Sequence, residues 1–153
     1  MKITVLRGIP GSGKSTYAIG IRNAEVEFGL TPVIVSADLY FMSGLEYRFD
    51  ISKLGDAHRW CLREFIQNIN DKMSHIFVDN TNINLEDIAP YVAVGEALGY
   101  DVEVIQINAD PVAAALRNVH GVPLNSVRSM AERLERIKLP SRWNVKLLNP
   151  NWL

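Results

Sequence analysis

The sequence is poor in cysteine and contains no long apolar run. Its 153 residues include one cysteine, Cys61, so neither an internal disulfide nor a zinc site built on a cysteine pair can form. No stretch approaches the roughly 18 apolar residues that a membrane-spanning helix requires. The apolar run in MKITVLRGIP is also shorter than that of a signal peptide. These absences predict a cytoplasmic protein with no membrane partner.

The chain also lacks a strong net charge. Its formal charge is -1, with 48% apolar and 22% charged residues. No global field therefore draws it to nucleic acid, and any such binding depends on local patches. Basic residues outnumber acidic ones before residue 64 and after residue 110, and acidic ones dominate between. The length and composition predict one domain spanning residues 1–153.

Short apolar runs alternate with helical patterns along the chain. This alternation predicts an α/β fold with three αβα layers and a mostly parallel, doubly wound sheet of four or five strands. The C-terminal NPNWL either packs on the domain or meets a partner. Strands are expected at 2–7, 32–37, 75–80 and 101–108, with a fifth at 144–149, and helices at 15–28, 52–72, 85–98, 111–118 and 125–137.

A glycine-rich segment, GIPGSGKS, lies between the first predicted strand and the first predicted helix. It matches the P-loop pattern, in which backbone N–H groups and a helix N-terminus surround phosphate oxygens. Lys14 should contact the β- and γ-phosphates of ATP, and the Ser15 hydroxyl should bind Mg²⁺. The predicted ATP-binding residues here are Gly8, Ile9, Pro10, Gly11, Ser12, Gly13, Lys14, Ser15 and Thr16.

Two carboxylates follow neighbouring predicted strands. Asp79 ends IFVD and is predicted to hold Mg²⁺ near the phosphates, although an Asx-turn at a strand end is the alternative. Asp38 follows the second strand and should lie across the same crevice, where it can take the proton of an acceptor hydroxyl. A helix N-cap is the alternative for Asp38. The long, aromatic loop that follows it favours the functional interpretation.

Arg117 ends the helix that follows the fourth strand. The next residues, NVHGVP, contain the glycine and proline that end one helix and begin another, as a hinged lid requires. A lid cation can neutralise charge on a phosphoryl group during transfer. Arg117 is therefore predicted to contact ATP and to act in catalysis with Lys14, and a surface arginine without a role is the alternative.

Four segments, RGIPGSGKST, SADLYF, VDNTNIN and RNVHGVPLNSVRSM, together resemble the 5′-hydroxyl polynucleotide kinases of the P-loop kinase class. The resemblance spans about residues 2–137. It implies a P-loop kinase fold with a helical lid, which uses ATP and Mg²⁺ to phosphorylate 5′-hydroxyl ends of DNA or RNA. It also implies that Asp38 is the general base and that Asn80 and Thr81 contact the acceptor.

The resemblance departs at the acceptor side. Phage members of that family carry an arginine three residues beyond the base, where this chain has Phe41. Arg48 is a candidate replacement for the phosphate contact. Phe41 and the nearby Tyr40, Tyr47 and Phe49 are candidates to stack on a terminal base, or they seal the loop against the sheet.

Two further functions are compatible with the same ATP site. A small-molecule kinase acting on a nucleoside, sugar or other metabolite is favoured by the near-neutral charge and by Phe41. An ATP-dependent binding switch would close around a partner without rapid phosphoryl transfer. The sequence leaves DNA, RNA and small-molecule acceptors open, and it gives no oligomeric state.

Overall fold

The computed structural model describes residues 1–149 and contains a five-stranded parallel sheet and a separate two-stranded hairpin. The main sheet has the order β2-β5-β1-β6-β7, and every neighbouring pair in it is parallel. The strands are β1 (Lys2–Arg7), β2 (Pro32–Val35), β3 (Met42–Ser43), β4 (Glu46–Tyr47), β5 (His75–Asp79), β6 (Asp101–Ile107) and β7 (Val145–Leu148), where β3 and β4 form the hairpin.

Five helices connect and cover these strands. The predicted α/β class and the five strands and five helices are confirmed, with ends that shift by no more than two residues. β2 stops at Val35 because the Ser36 side chain accepts the backbone N–H of Asp38 and starts a 3-10 turn. The helices are α1 (Lys14–Glu27), α2 (Leu54–Asn70), α3 (Leu85–Ala97), α4 (Pro111–Arg117) and α5 (Leu124–Arg136).

The sheet is covered on both faces, as the sequence predicts. Because side chains alternate along a strand, Ile3 and Val5 of β1 join the core cluster that α2 and α3 cover. Leu6 joins the opposite cluster with Ala18 of α1. A third cluster links Ile9 to α4 and α5. The parallel direction places the residues that follow β1, β2 and β5 at one edge of the sheet.

Within residues 1–149, no helix is both long and apolar enough to cross a bilayer. Residues 150–153 lie outside the described part of the chain, and so does the predicted packing of NPNWL.

Arg7 is a buried cation at the last position of β1, with 2% of its surface exposed. Its Nη1 donates to Gln106 Oε1 on β6 at 2.5 Å. Its Nη2 donates to the carbonyl oxygens of Ile83, after β5, at 2.9 Å and of Ile137, at the end of α5, at 3.3 Å. One guanidinium therefore joins the strand before the P-loop to three other parts of the chain.

Replacing this guanidinium should destabilise the protein. Arg7→Ala leaves two buried carbonyl oxygens and one amide oxygen without their donor, and we expect a loss of about 2–4 kcal/mol in the free energy of unfolding. Urea denaturation followed by circular dichroism measures it. The control is Arg142→Ala, which removes an exposed pair with Glu96 and should change stability by less than about 1 kcal/mol. Equal effects of the two variants would contradict the structural role of Arg7.

Candidate functional site

A cleft of about 520 Å³ opens at the carboxyl edge of the sheet. It collects the P-loop, the residues after β2 and β5, the hairpin and the segment between α4 and α5. The predicted Lys14, Asp38, Asp79 and Arg117 all line it. Among the other predicted residues, the cleft lining includes Pro10, Gly11, Gly13, Ser15, Thr16, Asn80 and Thr81.

The P-loop is held tightly by its neighbours. Gly11 has a φ of 78°, and a Cβ built on it would lie 2.0 Å from the carbonyl oxygen of Ala114 in α4. Only glycine fits this close approach. The backbone N–H of Gly8 donates to the Thr81 carbonyl oxygen at 2.9 Å. The loop is thus attached both to the segment after β5 and to the helix that precedes the predicted lid.

Three predicted ATP-binding residues lie outside the cleft lining. Ile9 packs its side chain against Ala114 and Val127, and Ser12 is fully buried. Ile9 and Gly8 instead supply carbonyl oxygens to Lys14. Any contact of Gly8, Ile9 or Ser12 with ATP would therefore come from the backbone.

Lys14 folds back onto its own loop. Its Nζ donates to the carbonyl oxygens of Gly8 at 3.0 Å and Ile9 at 2.9 Å. Burial lowers the pKa of Lys14 to about 8, and attraction to Asp79 and Asp38 opposes that shift. A polyphosphate would supply the negative charge that this buried ammonium lacks.

Ser15 and Asp79 form the predicted Mg²⁺ position. Burial raises the pKa of Asp79, and the Ser15 hydrogen bond and the Lys14 charge oppose it. A hydroxyl and a carboxylate are the oxygen donors that Mg²⁺ prefers, so this pair fits the ion. No group of three His, Cys, Asp or Glu side chains within residues 1–149 could hold a metal alone. The other ligands would come from phosphate and water.

Asp38 lies in the 3-10 turn after β2, and a side chain of another strand fixes that turn. Asn80 Oδ1 accepts the backbone N–H of Ala37 at 2.8 Å, and Asn80 Nδ2 points to Cys61 Sγ at 3.5 Å. The Ser36 hydroxyl accepts the N–H of Asp38. Both amide groups of Asn80 thus bond inside the protein and position the turn that carries Asp38, while Asn80 also lines the cleft and its contact with an acceptor stays a prediction.

The Asp38 carboxylate meets two side chains from separate segments. Tyr47 Oη on the hairpin donates to Oδ1 at 3.1 Å, and His120 Nε2 lies 3.4 Å from Oδ2. The Tyr47 and His120 rings are 5.0 Å apart. Burial, followed by the Asp38 charge, raises the pKa of Tyr47 to about 12, so its hydroxyl stays a donor. The sequence does not predict these two contacts with Asp38, because they depend on how the hairpin and the α4–α5 segment pack over the turn after β2.

Arg117 lies beside the P-loop, with Nε donating to the Gly11 carbonyl oxygen at 3.2 Å. Asn118 closes the following turn: its Nδ2 donates to the Ala115 and Val122 carbonyls, and its Oδ1 accepts the Val122 N–H. This turn brings His120 to Asp38. The segment predicted as a lid therefore contacts both the phosphate loop and the predicted base.

The structure corrects one predicted acceptor contact, that of Phe41, and the contact of Arg48 stays a prediction. Phe41 is 5% exposed and belongs to the main core cluster, where its ring packs edge-on against Phe49 at 5.1 Å. Arg48 pairs with Glu46 on its own hairpin and lies outside the cleft lining. Phe41 therefore seals the loop against the sheet, which is the second of the two roles predicted for it. Its apolar ring anchors the loop in the core.

No protein-family model matches this chain. Human NEDD4-binding protein 2 is 35% identical over 138 residues, which cover 88% of this chain and 8% of that protein. Rat YLP motif-containing protein 1 is 28% identical over 153 residues, covering 87% of this chain and 11% of that protein. The chain thus spans about a tenth of the length of these curated relatives.

Solved structures with the same architecture include several kinases. The Mycobacterium tuberculosis APS kinase, in complex with AMPPNP and APS, has a TM-score of 0.65 and 18% identity, covering 98% of this chain and 88% of that one. The Pnkp1/Rnl/Hen1 RNA repair complex contains a chain with a TM-score of 0.66 and 18% identity, covering 88% and 44%. This chain has a P-loop kinase fold. At this level of identity the likeness concerns the fold alone.

The lowered pKa of Lys14 predicts a pH-dependent contribution to stability. Between about pH 8 and the ordinary pKa of 10.5, Lys14 is protonated in the unfolded chain and neutral in the folded one. Unfolding then takes up a proton, so stability from this group rises by about 1.4 kcal/mol per pH unit. Lys14→Met removes this contribution. Above about pH 8, the stability of the wild type relative to Lys14→Met should therefore increase by that amount per pH unit.

Urea denaturation of both proteins from about pH 7 to pH 10 measures this difference. Ionisation of tyrosines cancels between them, because both chains contain the same tyrosines. Lys138→Met, at an exposed position, serves as the control and should show a constant difference. A constant difference for Lys14→Met as well would mean that Lys14 keeps its ordinary pKa.

Proposed function

We propose that this protein is an ATP-dependent kinase that phosphorylates the 5′-hydroxyl end of DNA or RNA. The observation that carries the proposal is the position of Asp38. It shares one cleft with the P-loop, Lys14 and Arg117, but it follows a different strand and is approached by different side chains. A carboxylate placed in this way can serve the acceptor while the P-loop holds the donor.

The proposed step transfers the γ-phosphoryl group of ATP. The acceptor hydroxyl gives its proton to Asp38 as its oxygen forms a bond to the γ-phosphorus. The bond between that phosphorus and the bridging oxygen breaks, and its electron pair leaves with ADP. Lys14 and Arg117 stabilise the charge on the phosphoryl oxygens.

Mg²⁺ bound at Ser15 and Asp79 would neutralise phosphate charge and orient the triphosphate. Ser15 and Asp79 contribute a hydroxyl and a carboxylate, and Lys14 lies close enough to Asp79 to influence its pKa. In the ligand-free protein, Lys14 and Ser15 thus already compensate part of the buried Asp79 charge.

The polynucleotide acceptor is supported by the four sequence segments and by exposed aromatic rings. Phe49 is 53% exposed and lines the cleft together with Tyr47. Nucleic-acid bases stack on such rings without regard to sequence. One structural neighbour belongs to an RNA repair complex, which is compatible with this acceptor.

A small-molecule acceptor is the second candidate. A nucleic-acid backbone is expected to contact a cation on the acceptor side. Phe41 is apolar and buried, and Arg48 pairs with Glu46, so neither residue provides that cation in the cleft. Structural neighbours also include a gluconokinase from Sinorhizobium meliloti with a TM-score of 0.58. An acceptor panel separates the candidates, and absence of transfer to any acceptor would favour a binding switch.

The role of Asp38 can be tested with labelled ATP and Mg²⁺. The acceptors are a 5′-hydroxyl oligonucleotide, its 5′-phosphorylated counterpart and a mixture of nucleosides and sugars. Wild-type protein should label the 5′-hydroxyl oligonucleotide but not the 5′-phosphorylated one. Asp38→Asn should keep ATP affinity but reduce transfer by at least about 100-fold, because it removes the proton acceptor.

The control for this variant is Asp56→Asn, an exposed carboxylate on α2 that pairs with Arg59. It should retain wild-type transfer. Full activity of Asp38→Asn would remove Asp38 as the base. Label confined to a sugar or metabolite would replace the polynucleotide acceptor by the second candidate.

The hydrogen bond from Tyr47 to Asp38 predicts a positioning effect. Tyr47→Phe keeps the ring but removes the donor, so Asp38 loses a partner that orients it and favours its charged form. Transfer should fall roughly tenfold, with ATP affinity unchanged.

Tyr40→Phe is the matched control, because Tyr40 packs against Phe41 and Trp60 on the same loop. Its transfer rate should equal that of the wild type. An equal loss of transfer in Tyr47→Phe and Tyr40→Phe would argue against a role for the Tyr47 hydrogen bond to Asp38.

A further inference from the structure

The half of the cleft beyond Asp38 is aromatic and apolar. The hairpin, the start of α2 and the segment from α4 to α5 form this wall, and its polar groups are two imidazoles and the Tyr47 hydroxyl. The residues of this wall are Tyr47, Phe49, Leu54, His58, Val119 and His120. Val122 and Met130 also line the cleft, but they pack with Ile9 of the P-loop in the cluster on α4 and α5.

The permanent cations that line the described cleft lie on the other side. They are Lys14, which bonds to the carbonyls of its own loop, and Arg117, which bonds to Gly11. Among the basic residues of the hairpin and α2, Arg48 and Arg59 pair with acids on their own segments. These two arginines, Lys53 and Arg63 all lie outside the lining. A phosphate on the acceptor side would face Asp38 without a permanent counter-charge from the lining.

The rings of the acceptor half are fixed from behind. Phe49 packs edge-on against the buried Phe41 ring, and it lies nearly parallel to Tyr47, with an interplanar angle of 15° and 6.4 Å between ring centroids. Tyr47 is itself held by its bond to Asp38. Phe49 nevertheless keeps about half of its surface exposed at the cleft. A planar group can stack on this ring without ordering a loose side chain first.

We infer that the cleft recognises the terminal nucleoside of the acceptor by stacking its base on Phe49, and that it does not grip the phosphates behind that nucleoside. The inference rests on the proposed kinase function and makes its substrate class more specific. The acceptor is a nucleoside with a free 5′-hydroxyl, and the length of the attached chain has little effect. Ionic contacts, which dominate the affinity of most nucleic-acid-binding proteins, contribute little here.

Equilibrium binding tests this without requiring transfer. Adenosine, a 5′-hydroxyl dinucleotide and a 5′-hydroxyl oligonucleotide of about ten nucleotides are titrated against the protein with a non-hydrolysable ATP analogue and Mg²⁺. A pH of about 8 keeps histidine side chains mostly uncharged. We expect the three Kd values to agree within about threefold, and log Kd to depend only weakly on log salt.

A Kd that falls tenfold or more from adenosine to the oligonucleotide would overturn the inference, especially with a slope near the 0.7 per phosphate of single strands. Failure of adenosine to bind at all would also overturn it.

A matched pair of variants identifies the ring. Phe49→Ala should weaken adenosine and oligonucleotide by the same factor, about 5- to 100-fold, and Phe49→Leu should recover only part of this. Leu45→Ala, at the fully exposed hairpin tip outside the cleft lining, should bind like the wild type. Unchanged binding by Phe49→Ala would remove Phe49 as the stacking ring.

A parallel transfer assay distinguishes this inference from the proposed function. Chain-length-independent binding without phosphoryl transfer supports the recognition mode and refutes the kinase activity. Transfer to the oligonucleotide together with strongly length-dependent binding supports the kinase activity and refutes the recognition mode.

Discussion

The buried guanidinium of Arg7 is the constraint on which the arrangement of the site depends. Its planar group has donors in fixed directions, and these directions join β6, the segment after β5 and the end of α5. Arg7 immediately precedes Gly8, so these bonds also set where the P-loop begins. The Gly8 bond to the Thr81 carbonyl then fixes the loop to the segment after β5 a second time. Because Asn80 of that same segment bonds to the turn that carries Asp38, the segment after β5 connects the P-loop to Asp38.

Electrostatics divide the cleft into two halves with different properties. The P-loop half contains a buried ammonium and a buried carboxylate, Lys14 and Asp79, and desolvation shifts the pKa of each towards its neutral form. Such a pair favours a ligand that brings its own charges, as a triphosphate with a divalent cation does. The acceptor half contains no comparable buried pair of charges, because its wall is made of rings and aliphatic side chains. The buried charges and the planar side chains therefore occupy different halves of one cleft.

Local sequence patterns predict the fold and the phosphate loop, but they do not predict contacts between segments that are distant in the sequence. The P-loop and the strand runs are contiguous in sequence, and their physical reasons are local. Asn80 and Phe41 are predicted at the acceptor because each belongs to one of the four segments. The bond from Asn80 to Ala37, 43 residues away, and the entry of Phe41 into the core are not visible in those segments. The same limitation hid the joint approach of Tyr47 and His120 to Asp38, which requires the hairpin register and the turn at Asn118.

Asp38 is positioned by two separate sets of contacts, one to its backbone and one to its carboxylate. Ser36 and Asn80 fix its backbone, and both belong to the rigid edge of the parallel sheet. Its carboxylate is held by Tyr47 from the hairpin and by His120 from the α4–α5 segment, and both residues are substantially exposed. In the proposed reaction, an acceptor hydroxyl would compete with, or add to, these two side-chain contacts, while the backbone beneath stays in place. The acceptor would then rearrange the contacts around the carboxylate without moving Asp38 relative to the P-loop, and the proposed in-line transfer depends on that fixed distance.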